Sequence, residues 1–462
     1  MLRSRHLVAF YTDTGVLPRS TLRVVFGSYH LLTGHDLWGT ETMQALLFVV
    51  AALAAVALIL GYRTRVATLL SLLLLVSIQA RNPIVLNGGD TLLRRLLFWS
   101  LFLPLGERLA VDATESEPRS AVSGVATVGL LGQVLAVYVV NAVIKLRGDA
   151  WPSGRALSLV LDLDQFTVFA GDALAEIPIL HPVATWLWLG VLVVSPLLVV
   201  LTGRKRAIIV GLFLASHAGM AMLLSLGIFP LVSIAALLPF LPAVVWDRFF
   251  PNRWSATSTA GERLTGRQAR ATNNGDSPRW RLRQAGLSAV LLLLLLSNAS
   301  TLGIVSADDS PVPEQSWDMF APSPPLTDGW FVAPGRTTTN RTVDALADRS
   351  LRWDRPPDLV AAYPSARWRK YLMSVRASDD RRLRQSLAQS LCGRWNRSHE
   401  SDLRHVRLVF VAEQTRLDGP DQRRRESLGR YDCPRTERKD NSRVPSRRPP
   451  SHDQVAPERP AA

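Results

Sequence analysis

The sequence predicts an all-α polytopic membrane bundle of about eight spans, followed by a small C-terminal domain of α+β or β-rich character. Three observations carry that reading. Apolar residues crowd the first two thirds of the 462-residue chain. They fall in runs close to the ~20 residues that a helix needs to cross a bilayer. The loops between these runs alternate between strongly basic and acidic or neutral, the asymmetry that orients membrane helices.

In order, the candidate spans are Met43–Leu60, Val66–Gln79, Thr91–Leu105, Ala121–Lys145, Pro182–Thr202, Ala207–Leu226, Phe229–Trp246 and Leu287–Val305. The second and third are short, as tilted or re-entrant segments are. The basic loops are GYRTR (61–65), GRKR (203–206) and 247–284, which carries arginines from Arg248 to Arg283. Placing all three in the cytoplasm lets the eight spans alternate without contradiction. The turn 81–90 then lies outside, as does the loop 146–181 with Asp149, Asp162, Asp164, Asp172 and Glu176, and so does everything after Val305. Residues 1–305 form the expected transmembrane domain and 306–433 an extracytoplasmic domain. The basic tail 434–462 has too few large apolar residues to fold. Within the second domain WDMFAPSPPLTDGWFVAPG, YPSARWRKYL and LCGRWNRSH read as turns, short strands and at least one helix, Asp379–Leu391. In an exported domain Cys392 and Cys433 could pair.

A net charge of +15 would suit nucleic acid, but the cations gather in short loops between apolar runs and in a tail without interleaved aromatics. That distribution fits a membrane protein and counts against a nucleic-acid partner. No P-loop, HExxH, GxSxG or GxGxxG stands in a suitable context, and the two cysteines lack metal-ligand spacing, so no metal site is expected.

Ionisable residues at membrane depth cost ~3 kcal/mol or more unless they face an interior, a partner or a cavity, so they mark candidate sites. Arg94 and Arg95 follow the turn Asn87-Gly88-Gly89-Asp90. Adjacent helical residues diverge by ~100°, so at most one of the two faces a given site. With Asn87 and Asp90 they could bind an anion such as a carboxylate, phosphate or bicarbonate. Equally, one could pair with Asp90 while the other meets a lipid headgroup. Lys145, one of four lysines among many arginines, ends the fourth run. It could snorkel as a helix anchor, or lie buried, where its charged form is disfavoured and it is suited to act as a base. His217, within LFLASHAGMAMLLSLGIFPL, is either a hydrogen-bonded structural group or one that steadies an oxyanion or a base.

The string RNPIVLNGGD, followed by LLFW and LPLG, resembles the signature of the HTTM family (horizontally transferred transmembrane domain), relatives of the vitamin K-dependent gamma-glutamyl carboxylase. Further motifs in the same order extend the resemblance to about Cys433. They are Tyr11, Asp13 and Gly15-Val16-Leu17-Pro18, more loosely His30 and Trp38, and then Trp317, Met319, Phe320, Pro322, Pro324 and Asp328-Gly329-Trp330. The opening residues would line the outer mouth of the bundle or pack as an interfacial hairpin. The later cluster would cap the site, grip a peptide or form the core of the small domain. In the family an initial membrane helix precedes HLVAFYTDTGVLPRS; this chain shows none, and restoring it would give about nine spans with a cytoplasmic N-terminus.

The resemblance implies a lysine base. In the carboxylase that lysine ends a similar helix, in a stretch of valine, two lysines, leucine, then acidic residues and tryptophan. Val143-Ile144-Lys145-Leu146 and Asp149-Ala150-Trp151 match it, with Lys145 at the base position and Ile144 replacing the neighbouring cation. A histidine–methionine helix ending in a gly-x-phe turn is matched by His217, Met220, Gly227 and Phe229. What this implies is a carboxylase-like enzyme at the outer membrane face, linked to a quinone or quinol, as the carboxylase adds carbon dioxide to glutamate using reduced vitamin K and oxygen. The competing reading is a non-enzymatic membrane protein that binds a peptide or lipid, or assists maturation of, or immunity to, a secreted peptide. Transport is the weakest reading, since neither paired broken helices nor repeat halves are evident. Expected partners are the lipid bilayer and a secreted peptide or protein. Lys145 discriminates: an enzyme needs it shielded from lipid and near His217 and an arginine, whereas a binding protein leaves it snorkelled.

Overall fold

The computed structural model describes residues 3–27, 34–107, 109–113, 121–249, 278–303, 319–414, 416 and 422–434. His30, Trp317 and almost all of the tail lie outside the described residues. Two short helices, α1 (Leu7–Tyr11) and α2 (Arg19–Phe26), precede α3 (Glu41–Leu60), α4 (Thr64–Arg81), α5 (Gly88–Ser100) and α6 (Val125–Arg147). Then come α7 (Leu180–Val193), α8 (Leu197–Val200), α9 (Gly203–Leu223), α10 (Phe229–Leu237), α11 (Ala243–Phe249) and α12 (Pro278–Thr301).

Among the described residues five helices are long and apolar enough to cross a membrane: α3, α4, α6, α9 and α12. A sixth is reached if Phe229–Phe240 and Ala243–Phe249, bent by 105°, count as one span. The chain is thus a multi-span helical membrane protein. The three other expected spans are short or broken, and each break has a proline. Thr91–Leu105 is helical only as α5, giving way to turns before Pro104; Pro182–Thr202 breaks at Pro196, between α7 and α8; Phe229–Trp246 bends beside Pro242. Proline lacks the N–H of the helical ladder and clashes with the preceding turn. Past their first residues the five long helices contain none.

α5 begins with a capping box: the Asn87 side chain accepts from Asp90 N at 3.2 Å, and Asp90 accepts from Asn87 N at 3.1 Å. α5 then runs antiparallel to α6, with the Trp99 ring so close to Gly129 that a Cβ there would lie 2.5 Å from it. α12 lies parallel to α6. Leu287 packs with Ala126 and Leu130 at one end, and Arg147 Nη1 donates to Leu302 O at 2.7 Å at the other.

Hydrogen bonds sort the connections to two ends of the bundle. At one end Arg63 N donates to Asp112 at 2.7 Å, Arg206 Nε to Leu201 O at 2.7 Å and Arg283 Nη2 to Phe102 O at 3.2 Å. At the other, Ser225 N donates to Phe166 O at 2.7 Å and Asn87 Nδ2 to Leu226 O at 3.5 Å. The C-terminal domain sits on this second end.

That domain is α+β. Its strands are β1 (Thr327–Val332), β2 (Pro334–Thr337), β3 (Thr342–Asp344), β4 (Arg349–Ser350), β5 (Leu403–Gln414) and β6 (Gln422–Asp432), with α13 (Ala366–Ala377) and α14 (Arg381–Ser398) between β4 and β5. β5 is the spine. β6 pairs along one edge, β1 and then β2 along the other, and β3 and β4 extend from β2, all antiparallel. Side chains alternate as a strand requires: Val406, Leu408 and Phe410 join Tyr371, Leu372 and Leu387 on the helical face, while Trp330, Val332 and Val411 pack with Leu359 on the other. The helix expected at Asp379–Leu391 is α14, N-capped by Asp380, and YPSARWRKYL supplies α13, N-capped by Ser365. A disulfide joins Cys392 in α14 to Cys433 after β6.

The opening segment is neither a mouth lining nor an interfacial hairpin. Phe10, Tyr11, Val16, Leu17 and Leu22 are buried in one core with Trp368, Tyr371, Leu387 and Leu391 of the C-terminal helices. Val16 O accepts from Tyr371 Oη at 3.0 Å and from Ser386 Oγ at 2.9 Å. Arg81, fully buried, donates to Leu17 O at 2.8 Å and Thr12 O at 3.2 Å. A chain reversal that exposes carbonyls inside a core needs such donors, since an unpaired buried group costs ~1–3 kcal/mol.

Candidate functional site

Lys145 is only 2 % exposed. It does not snorkel. Its Nζ donates to Met319 O at 2.8 Å and stands 3.8 Å from the centroid of the Trp151 ring. Trp151 follows α6 in the stretch Asp149-Ala150-Trp151, and its Nε1 donates to Phe320 O at 2.8 Å. The Trp317–Trp330 motif therefore splits. Met319 and Phe320 cap Lys145, whereas Trp330 is core of the small domain.

His217 is fully buried in α9. Its Nε2 lies 3.0 Å from Tyr138 Oη, and the rings of Trp188 and Phe229 meet it edge-on at 5.6 and 5.8 Å. Its Nδ1 has no hydrogen-bond partner among the described residues. Tyr138 precedes Lys145 by seven residues, two turns on one face of α6, a rise of ~10.5 Å. Tyr138 and Lys145 therefore share one face of α6, and His217 meets that face at Tyr138. The sequence reading missed Tyr138, although its spacing from Lys145 would have shown it.

The four remaining candidates separate. Arg94 Nη1 donates to Gln79 Oε1 at 2.6 Å on α4. Arg95 is buried on the Leu92–Trp99 face of α5. Because Trp99 lies on Gly129, Arg95 stands level with the middle of α6 and below its Lys145 end. Asn87 and Asp90 close the capping box at the start of α5. The buried Asp90 carboxylate is bound by Arg3 at 2.6 Å and Arg367 at 2.9 Å, and its carbonyl accepts from Gln79 at 2.9 Å. Neither Arg3 nor Arg367 could have been matched to Asp90 from sequence distance.

Around this end the loop 146–181 is fastened to the C-terminal domain. Arg369 stacks on Phe166 at 4.0 Å and donates to Gln165 O and Ser225 O. Arg355 bridges Asp164 and Glu413, the latter at 2.8 Å. Asp328, also buried, accepts from Gly329 N at 2.9 Å and Gln165 N at 3.4 Å. Burial pushes its carboxyl up to about 6, the neighbouring Asp164 adds to this, and the two N–H groups and Arg355 oppose it. A carboxyl raised on folding contributes stability at low pH that is lost as pH rises through the folded value. Asp328→Asn is therefore expected to stabilise the protein by ~2 kcal/mol above pH 7, with the difference vanishing towards pH 4, in thermal melts across that range. An equal effect at both ends of the range would exclude this titration as the cause.

Among the described residues no group of three or more His, Cys, Asp or Glu could hold a metal ion. A polytopic bundle, the RNPIVLNGGD turn as a capped entry to α5, and a lysine ending α6 are the features to set against known proteins. No curated protein and no solved structure matches the chain. The family model of the HTTM domain matches residues 18–246, which contain α2 to α10 and most of α11, so the chain is a member of the HTTM family.

Proposed function

We propose that this is an HTTM membrane protein in which Lys145 acts as a base at the outer membrane face, in a carboxylase-like, quinone-linked reaction on a secreted peptide or protein. One observation carries this: a lysine at a helix end is withdrawn from lipid and water, on the same face of α6 as the Tyr138 that His217 meets. Proton abstraction beside a group that steadies the resulting negative charge is the minimum for such chemistry. His217 supplies the second part through an unpartnered Nδ1, and Arg95 a cation at mid-bundle. The same residues fit a quinol: Nδ1 of His217, among the rings of Trp188 and Phe229, would hold its oxygen, and when bound it would supply reducing equivalents.

The reading keeps eight spans and an extracytoplasmic C-terminal domain. The parallel packing of α12 on α6 supports three crossings between them, as alternation requires, and the broken helices α7–α8 and α10–α11 supply two of these. Arg63, Arg65, Arg204, Lys205, Arg281 and Arg283 gather at one end, which the charge rule assigns to the cytoplasm. The Cys392–Cys433 disulfide suits an oxidising compartment for the other. The division at 305/306 belongs to the same proposal, with residues 3–27 sharing the core of the second domain.

The test compares Lys145→Ala and Lys145→Arg with wild type in the native host, with secreted peptides weighed for a gain of carbon dioxide. The expected result is loss of the gain in both variants at unchanged membrane level, since arginine keeps the charge but cannot serve as a base near neutral pH. Wild-type behaviour in both would remove the catalytic reading and leave a protein that binds a peptide or lipid, or assists a secreted peptide's maturation or immunity.

A further inference from the structure

A lysine that donates to a carbonyl is not acting as a base, and the carbonyl in question belongs to the chain itself. Met319 O accepts from Lys145 Nζ and the next carbonyl, Phe320 O, from Trp151 Nε1, each at 2.8 Å. Two side-chain donors thus grip consecutive carbonyls of one segment. Gly148 lets that segment lie close: a Cβ there would fall 2.2 Å from Pro322 O, too near for any other residue without a shift. The Phe320 ring drops between the Trp151 cluster and Phe166, edge-on to the latter at 5.3 Å. To do so Phe320 takes φ +56°, a left-handed conformation unfavourable for a residue with a side chain.

We propose that Met319–Pro322 is a lid acting in cis, which fills the groove over Lys145 and must be displaced before a ligand can enter. The groove recognises main chain: Lys145 and Trp151 read carbonyls, Gly148 admits the backbone, and the pocket beside Phe166 takes one aromatic side chain. The competitor of matching chemistry is an extended peptide with an aromatic residue at that position. This rests on Lys145 being the working residue, but its test requires no turnover.

Four lysines make the test clean, since exposed Lys205 and Lys370 serve as internal references. The full chain in lipid discs is reductively methylated with formaldehyde and borohydride, and each lysine is followed by peptide mass mapping. A lid open for a tenth of the time or less makes Lys145 react ~10-fold or more slowly than Lys370. Gly148→Ala and Phe320→Gly loosen the segment at two separate contacts; both are expected to bring Lys145 towards the Lys370 rate while Lys205 and Lys370 keep theirs. Adding the blocked peptide MFAPSP to the Phe320→Gly protein is expected to restore protection. Wild-type Lys145 reacting as fast as Lys370 would overturn the lid, as would both variants leaving it slow in a protein whose reference rates are intact. Exposure without protection by the peptide would overturn the peptide groove. If Lys145→Arg proves active while these labelling results hold, the lid stands and the base does not.

Discussion

Replacing Asp90 with alanine is expected to destabilise the protein by ~3–5 kcal/mol, the cost of leaving buried cations without their counter-charge. Asp90 is fully buried, Arg3 and Arg367 are 12 % exposed, and the same carboxylate closes the α5 cap through Asn87 N. Loss of the carboxylate therefore acts on three parts of the fold together. The opening segment loses the anchor of Arg3, α13 that of Arg367, and α5 one satisfied donor. The measurement is unfolding in mild detergent, followed by tryptophan fluorescence. The double variant Asp90→Ala with Arg367→Met should recover part of the loss, because one stranded charge goes with it. A drop below ~1 kcal/mol in the single variant would place these ion pairs among the weak surface kind.

Asp90 also shows where the sequence was legible and where it was not. Asp90 was visible as part of RNPIVLNGGD, and the turn opening a helix was readable from Asn87 and the glycines. Its partners were not, since Arg3 and Arg367 lie 87 and 277 positions away and arginine is too common in this chain to single out. The apolar runs carried the bundle well because hydropathy is a local property. Span integrity was less legible: Pro104, Pro196 and Pro242 were in plain view, but their apolar neighbours masked the breaks. At the candidate site, Lys145 and His217 were found by their rarity in apolar runs. Tyr138 was lost among aromatic and aliphatic residues of the same helix. The packing of residues 3–27 against α13 and α14 had no local signal, because a segment's partner in a core is set by topology.

Removing the Cys392–Cys433 disulfide is expected to cost ~4 kcal/mol in the chain-entropy account, given a sequence separation of 41 between the two cysteines. The bond ties the middle of α14 to the residue after β6, so the closed loop contains all of β5 and β6. Reduction frees both ends of that loop in the unfolded state and removes little native contact, since Cys392 stays packed in the core. Cys392→Ala and Cys433→Ser, singly and together, should lower the unfolding midpoint by the same amount as reduction. Alkylation with and without prior reduction reports whether the bond is formed in the membrane. Identical labelling in the two conditions would mean that it is absent.

The core shared by Val16 and Tyr371 has a consequence for how the chain is made. These residues are 355 positions apart. A ribosome adding ~5–20 residues per second needs roughly 20–70 s to traverse that interval. Throughout it Phe10, Tyr11, Leu17 and Leu22 can meet Ile78, Ile84 and Val85, but they lack the part of their core that Trp368, Tyr371, Leu387 and Leu391 supply. The membrane helices can be inserted one after another, but one side of the first stretch of the protein stays uncovered until the last helices arrive. Its maturation is therefore clocked by synthesis of its far end. A ribosome stalled late in the message would leave a bundle that is inserted yet still open at its beginning, and a protease on that side of the membrane would find it there.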